Sequence, residues 1–362
     1  MRAIAALLVV VNHGLVQTFH GPVPDLAPRW LTTAGAAGVD IFFVISGFIM
    51  MAVSFPQGGP AERPWSFLRK RIARIYPFYW IVITGALLAW SVHFLEILHP
   101  AGLDLEAIIR SYMLAPSNPL IIGVSWTLVH EMNFYLLFAA MLLIGKPLAA
   151  LIGVSGLLVL QLLLASQVDD PATRMFLGRP IMLEFCLGMM LGFLFTRGWL
   201  TWQPHLIVAA LCLAVIMIAP IFIEHETTAG LDGFPRVLAW GAPAAVLVAA
   251  CVNWRVGAGW WDRTWLLLGD ASYAIYLLHP FVLIGHEYII FRTMQAGPIV
   301  HAAALLAMTA LCAGIGVVAH ILVERPVSRW TRGFLLTPPW SAKSRAPRRA
   351  RPLSPHAPLD SR

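Results

Sequence analysis

Two kinds of side chain in this sequence are suited to chemistry: isolated ionisable groups inside long apolar runs, and a cluster of guanidiniums beside another such run. The isolated groups are His13, Asp40, Glu131 and His279, with Glu184, Asp270, His286 and Glu287 nearer the ends of their runs. An imidazole can take a proton from a hydroxyl or carry a transferred group itself. A carboxylate such as Glu131 can hold an imidazole in one tautomer and stabilise its charged form. The guanidiniums belong to Arg69-Lys70-Arg71-Ile72-Ala73-Arg74-Ile75-Tyr76-Pro77. Arg71 and Arg74 stand three apart, on one side of a helix, and with Arg2 they would make a fork for phosphate oxygens. The chain has no Walker loop and no GxGxxG, so ATP and dinucleotides are poor candidates.

Each residue also has a plain structural reading. His13 could be a hydrogen-bonded bundle residue, and Glu131 half of a packing pair with a histidine or an arginine. Asp40 sits where it could stabilise a helix N-terminus. His279 precedes Pro280 and could satisfy carbonyls freed by a kink. The basic run could be no more than a rim of positive charge at a membrane surface.

The elements that must position these groups follow from composition. Of 362 residues, 59% are hydrophobic and 12% charged, with a mean hydropathy of +0.76. Soluble domains carry about 25% charged residues. Soluble, secreted-globular and disordered classes are therefore excluded, and the chain reads as an integral membrane protein. Spans of roughly 20 apolar residues fit ten windows, at about 3–19, 34–55, 76–97, 120–144, 147–165, 180–196, 206–223, 237–252, 265–290 and 299–323. Strand alternation is absent, so the expected fold class is all-α, a polytopic bundle of about ten transmembrane helices. No small-x-small cleavage site follows Val16, which favours a retained first helix over a signal peptide. The four cysteines, Cys186, Cys212, Cys251 and Cys312, lie in apolar segments and read as small hydrophobes, with no metal-ligand spacing.

Placing both termini in the cytoplasm leaves nineteen Lys and Arg on that side and six on the other, in keeping with the positive-inside bias. Residues 1–335 form one transmembrane domain in this reading, and residues 336–362 a disordered basic tail rich in Pro, Ser and Arg near an anionic leaflet. The net charge of +7 then reflects topology and tail; membrane lipid is the expected contact and nucleic acid is not. At about 1.5 Å per residue, His13 lies roughly 16 Å from the inner surface and Glu131 roughly 21 Å, with Asp40 and His279 near the same level. Arg2 and His13, eleven residues apart, share a face of the first helix. That geometry suits a path inward from the inner surface.

Several segments together resemble the acyltransferase-3 family of integral membrane O-acyltransferases, which modify bacterial surface sugars. They are Arg2-Ala3-Ile4-Ala5-Ala6 with His13; Gly38-Val39-Asp40-Ile41-Phe42-Phe43-Val44-Ile45-Ser46-Gly47-Phe48; and Arg69 to Pro77. Further on come Ser125-Trp126-Thr127-Leu128 with Glu131 and Phe134-Tyr135; Ser272 to Pro280; and Glu324-Arg325-Pro326. In this order they cover about nine tenths of the chain.

The resemblance implies ten membrane helices in the bacterial inner membrane, a cytoplasmic acyl-CoA donor (acetyl-CoA being commonest), no metal, and a carbohydrate or lipid-linked glycan acceptor. It gives most weight to His13, Arg2, Arg69, Arg71 and Arg74. The expected acceptors are exopolysaccharide, lipopolysaccharide or peptidoglycan sugars, or a small glycoside. The family usually has a few residues ahead of the first-helix arginine, which implies a start upstream of Met1. No esterase-like domain follows the last span, so a second acyl-handling step would need another protein. The mechanism expected has the donor phosphates on Arg69, Arg71 and Arg74 with Arg2. His13 is then base or acyl relay, Glu131 its orienting carboxylate, and Asp40 and His279 bind the acceptor. The rival reading is a proton-coupled transporter or flippase using His13 and Glu131; it would favour inverted repeats, and the chain shows none. Oligomeric state carries no sequence signal.

Overall fold

The computed structural model describes residues 1–19, 29–56, 61–91, 103–201, 205–223, 231–255, 257–292 and 298–336. The tail expected to be disordered lies outside them from residue 337 onward. Every element is helical, and no strand occurs among the described residues. In chain order the helices are α1 (Arg2–Phe19), α2 (Arg29–Thr33), α3 (Gly38–Ser54), α4 (Pro64–Ser91), α5 (Leu105–Met113), α6 (Trp126–Leu142), α7 (Pro147–Leu164) and α8 (Pro171–Leu177). They continue with α9 (Leu183–Thr196), α10 (Leu206–Phe222), α11 (Gly233–Arg236), α12 (Ala242–Cys251), α13 (Trp260–Asp270), α14 (Ser272–Arg292), α15 (Pro298–Ala319) and α16 (Arg325–Leu336). Two π-helical turns, Val237–Gly241 and His320–Glu324, join α11 to α12 and α15 to α16.

Five helical stretches are long and apolar enough to cross a bilayer, and two bent helix pairs bring the number to seven. Two shorter apolar helices, Arg2–Val16 and Leu206–Phe222, fall below span length. The described helices thus supply five to seven spans where the sequence suggests ten. Boundaries shift as well. The described part of the window at 76–97, up to Ser91, belongs to a helix that begins at Pro64, so the basic run Arg69 to Pro77 lies inside α4 rather than ahead of it. Pro77 sits within that helix.

The helix that resembles a signal sequence is central. Ala5, Ala6 and Val10 of α1 are fully buried, and α1 packs between α3, α14 and α15. Small residues allow this approach. The closest pairing in the bundle is α3 against α9, where Gly47 and Gly188 face each other's helix backbone: a Cβ on Gly188 would stand 2.0 Å from the Val44 oxygen, and one on Gly47 2.1 Å from the Phe185 oxygen. In lipid, where apolar transfer gives no drive for helix pairing, such close backbone contact is the main source of attraction. Phe43 of α3, Phe185 of α9 and Phe134 of α6 stack in series, with centroids 4.4 Å apart at each step, and fix α6 beside that pair.

Candidate active site

Three cavities adjoin one another along α1 and α3. The first, about 690 Å³, is bounded by Arg2, Arg74, α13, the His320–Glu324 turn and α16. A much smaller cavity of about 70 Å³, the passage, shares Arg2 and Arg74 with it and is also lined by Ser46, Glu131 and Tyr135. The third, about 630 Å³, shares Val39 and Tyr276 with the passage and holds His13, Asn12, Trp126, Arg179 and Arg236 on its wall. α1 therefore presents its arginine to one wide chamber and its histidine to the other, and the small cavity shares wall residues with both.

His13 lies at the second chamber with its ring polarised by its own helix. Nδ1 donates to the Val9 carbonyl at 3.0 Å. A carbonyl can only accept, so in the neutral ring the proton is on Nδ1 and Nε2 is the basic nitrogen. The His279 ring packs on it, centroids 4.9 Å apart. His279 is fully buried, and its Nδ1 donates to the Tyr276 carbonyl at 2.6 Å. That carbonyl is the one orphaned by Pro280, which has no N–H for the residue four back. His279 thus satisfies the carbonyl freed by the kink, and its neighbours His13 and Tyr276, rather than its own ring, line the chamber.

Glu131 does not hydrogen-bond His13; the orienting role expected of it falls to the Val9 carbonyl. Its carboxylate accepts from the Ser46 hydroxyl at 2.9 Å and from the Tyr135 hydroxyl. It lines the passage with Arg2 and Arg74 and opposes the charge of Arg2. Asp40 also departs from expectation. It is fully buried and grips Arg236 through two bonds, 2.7 and 3.0 Å, so it reaches the His13 chamber only through that guanidinium. Trp240 lies under Arg236, 5.0 Å from ring centre to guanidinium carbon, and a second carboxylate, Glu184, is buried nearby against Gly241.

The arginines before the third expected span divide. Arg74 lines both the first chamber and the passage. Arg69 donates to the Leu335 carbonyl at the end of α16 and covers the Trp65 ring. Arg71 is buried over Phe67 and Tyr135. Neither is on the wall of the chamber. The chamber instead gains Arg325, Arg329 and Arg332, and the far chamber Arg179 and Arg236; of these the sequence singles out only Arg325, in Glu324-Arg325-Pro326, and offers the others as membrane-flanking charge. The spacing of Arg325, Arg329 and Arg332, one helical face, was the signal available for the first group. The pairing of Asp40 with Arg236 crosses nearly two hundred residues of sequence and leaves no local signal.

Comparison with known proteins bears on what these chambers handle. The family described as Acyltransferase domain matches residues 1–318. The Exopolysaccharide production protein ExoZ of Rhizobium meliloti (strain 1021) is 34% identical, over 84% of this chain and 93% of that protein. Acyltransferase MdmB of Streptomyces mycarofaciens is 27% identical, over 97% of this chain and 96% of its own length. No solved structure matches. A family match over nearly the whole chain, joined to relatives of matching length, settles its membership: this chain belongs to the acyltransferase-3 family and is an O-acyltransferase.

Proposed function

We propose that this chain moves an acyl group, acetyl in the first instance, from cytoplasmic acyl-CoA to a hydroxyl of a sugar in a cell-surface or exported glycan. In this reading it crosses the bacterial inner membrane ten times, with both termini in the cytoplasm and the chamber beside Arg2 opening inward. One observation carries the proposal: the arginine-lined chamber and the His13 chamber each share wall residues with the same small cavity, Arg2 and Arg74 on one side and Val39 and Tyr276 on the other. Donor and acceptor need not enter by one door. A relative named for exopolysaccharide production supports a carbohydrate acceptor.

The residues then have separate tasks. Arg2 and Arg74 hold the donor phosphates, and the thioester arm lies in the passage. Glu131 balances Arg2 there, which favours a neutral acyl arm over an anion. The acceptor sugar enters the other chamber, where Arg179, Arg236 and Asn12 offer hydrogen bonds and the Trp126 ring, under the Arg179 guanidinium, forms part of the wall. His13 Nε2 takes the hydroxyl proton as that oxygen attacks the thioester carbon. The C–S bond breaks, and the imidazolium returns the proton to the departing CoA thiolate. His279 and Asp40 act at one remove, packing His13 and holding Arg236. Mass spectrometry of surface glycans tests this in cells. Deleting the gene should remove one acyl unit from one glycan class, and a plasmid copy carrying His13→Ala should not restore it. Glycans of unchanged mass after deletion would contradict the proposal.

A further inference from the structure

The helix α16 is divided lengthwise by charge. At about 100° per residue, Arg325, Arg329 and Arg332 fall on one face, and Trp330 and Phe334 on the opposite one. Both aromatics are exposed and stacked on each other, with ring centres 6.3 Å apart. The three arginines line the 690 Å³ chamber together with Arg2 and Arg74. The chamber's carboxylates are fewer, Asp270 and Glu324, and Glu324 is already held by His320 Nδ1 at 2.8 Å. Among the described residues, no carboxylate lies within ion-pairing distance of Arg325, Arg329 or Arg332. Arg332 lies within reach of the charges of Arg74 and Arg71. Like charges so gathered repel, and the arrangement is relieved by a multivalent anion rather than by water.

The position of α16 is also fixed. The guanidinium of Arg69 donates to the Leu335 carbonyl in its last turn, which ties the helix to α4, the helix that carries Arg74. The π turn His320–Glu324 immediately before it widens the helix where α15 leads into α16, and such turns are frequent at functional sites.

We infer that the arginine face of α16, Arg325, Arg329 and Arg332, completes with Arg2 and Arg74 a binding site for the phosphate groups of a nucleotide thioester. This rests on the acyl-CoA reading above and assigns the phosphates to the final helix, with Arg69 a positioning residue for that helix. The aromatic face, opposite, suits the lipid interface. The arginine face has a competing anion of the same chemistry, the phosphate of an acidic lipid.

The test uses the full chain in nanodiscs of phosphatidylcholine, with a parallel set containing phosphatidylglycerol. Affinities for CoA, inorganic pyrophosphate and pantetheine are measured for wild type and for the pairs Arg329→Ala with Arg332→Ala and Arg329→Lys with Arg332→Lys. Charge-assisted hydrogen bonds of this kind make the expected loss for the alanine pair about tenfold or more for CoA and pyrophosphate. Pantetheine, which lacks the phosphates, should bind equally to all three proteins, and the lysine pair should recover part of the CoA affinity. A shallower dependence of CoA affinity on salt should accompany the alanine pair. Unchanged CoA affinity in the alanine pair overturns the inference, as does a loss confined to phosphatidylglycerol enrichment around the protein. An equal loss for pantetheine also overturns it, since that would report a collapsed chamber. Wild type that binds pyrophosphate but not CoA would instead bring down the acyl-CoA reading itself, and this assignment with it.

Discussion

His13 keeps Nε2 available because Val9, one turn earlier in the same helix, accepts the proton of the other ring nitrogen. The tautomer is thus set by the helix backbone, and no carboxylate is needed for it. This explains why a histidine in an apolar run was readable as a candidate base while its partner was not: any residue four earlier supplies a carbonyl, so the sequence gives no cue. Asp40 and Arg236 show the opposite case. Both are buried, and the guanidinium serves the His13 chamber only while the carboxylate balances it. Removing one partner of a buried ion pair leaves an uncompensated charge, at a cost of about 3–5 kcal/mol. Asp40→Ala should therefore lower the thermal unfolding temperature of the detergent-solubilised protein sharply. Asp40→Asn, which keeps hydrogen-bond acceptance toward Arg236, should lower it less. Equal melting of Asp40→Ala and wild type would mean that the pair does not hold the His13 chamber together.

At the scale of elements, the bundle depends on how closely α3 and α9 approach. A methyl group at Gly188 would overlap the Val44 carbonyl at 2.0 Å, so Gly188→Ala must push the helices apart or tilt them. Overpacking of this kind costs about 1–3 kcal/mol. Reduced melting temperature together with reduced yield of monodisperse protein is the expected outcome, whereas Gly156→Ala, at a position with open space around its Cα, should behave as wild type. α5 and the start of α8 are tied by Asp170, just ahead of α8, which caps that helix through Thr173 and bonds Arg110 at 3.0 Å. Hydrogen bonds from Thr173, then from Arg110, hold the Asp170 carboxyl down to about 2. Because the folded value is depressed, the stabilisation is present above the ordinary carboxylate range near 3.9 and fades as pH falls toward 2. The melting difference between wild type and Asp170→Asn should be constant from about pH 5 to 7 and shrink below about pH 4. A difference that grew on acidification would reverse the assignment. Helices as such were legible, because apolar runs of this length have one solution in lipid. Their ends were less so: the start of α4 at Pro64 precedes its apolar run, since its basic turns are held by packing and by Arg69 on Leu335 rather than by hydrophobicity.

Across the whole molecule, the candidate residues cluster where two wide chambers share wall residues with a small one, and each wide chamber has its own set of cations. Sequence reading reached the family and the helical class, because those signals are local or ordered along the chain. It did not reach the partition of the arginines. Arg69, Arg71 and Arg74 are neighbours in sequence, yet only Arg74 reaches the chamber, while Arg325, Arg329 and Arg332 arrive from the other end of the chain. The central claim is that the imidazole of His13 serves the acyl group delivered from the arginine-lined side. Release of CoA from labelled acetyl-CoA by purified protein in nanodiscs, with a sugar acceptor present, tests it most directly. Wild type should consume the thioester and label the acceptor. His13→Ala should do neither while binding CoA with unchanged affinity; turnover by His13→Ala at the wild-type rate would contradict the account.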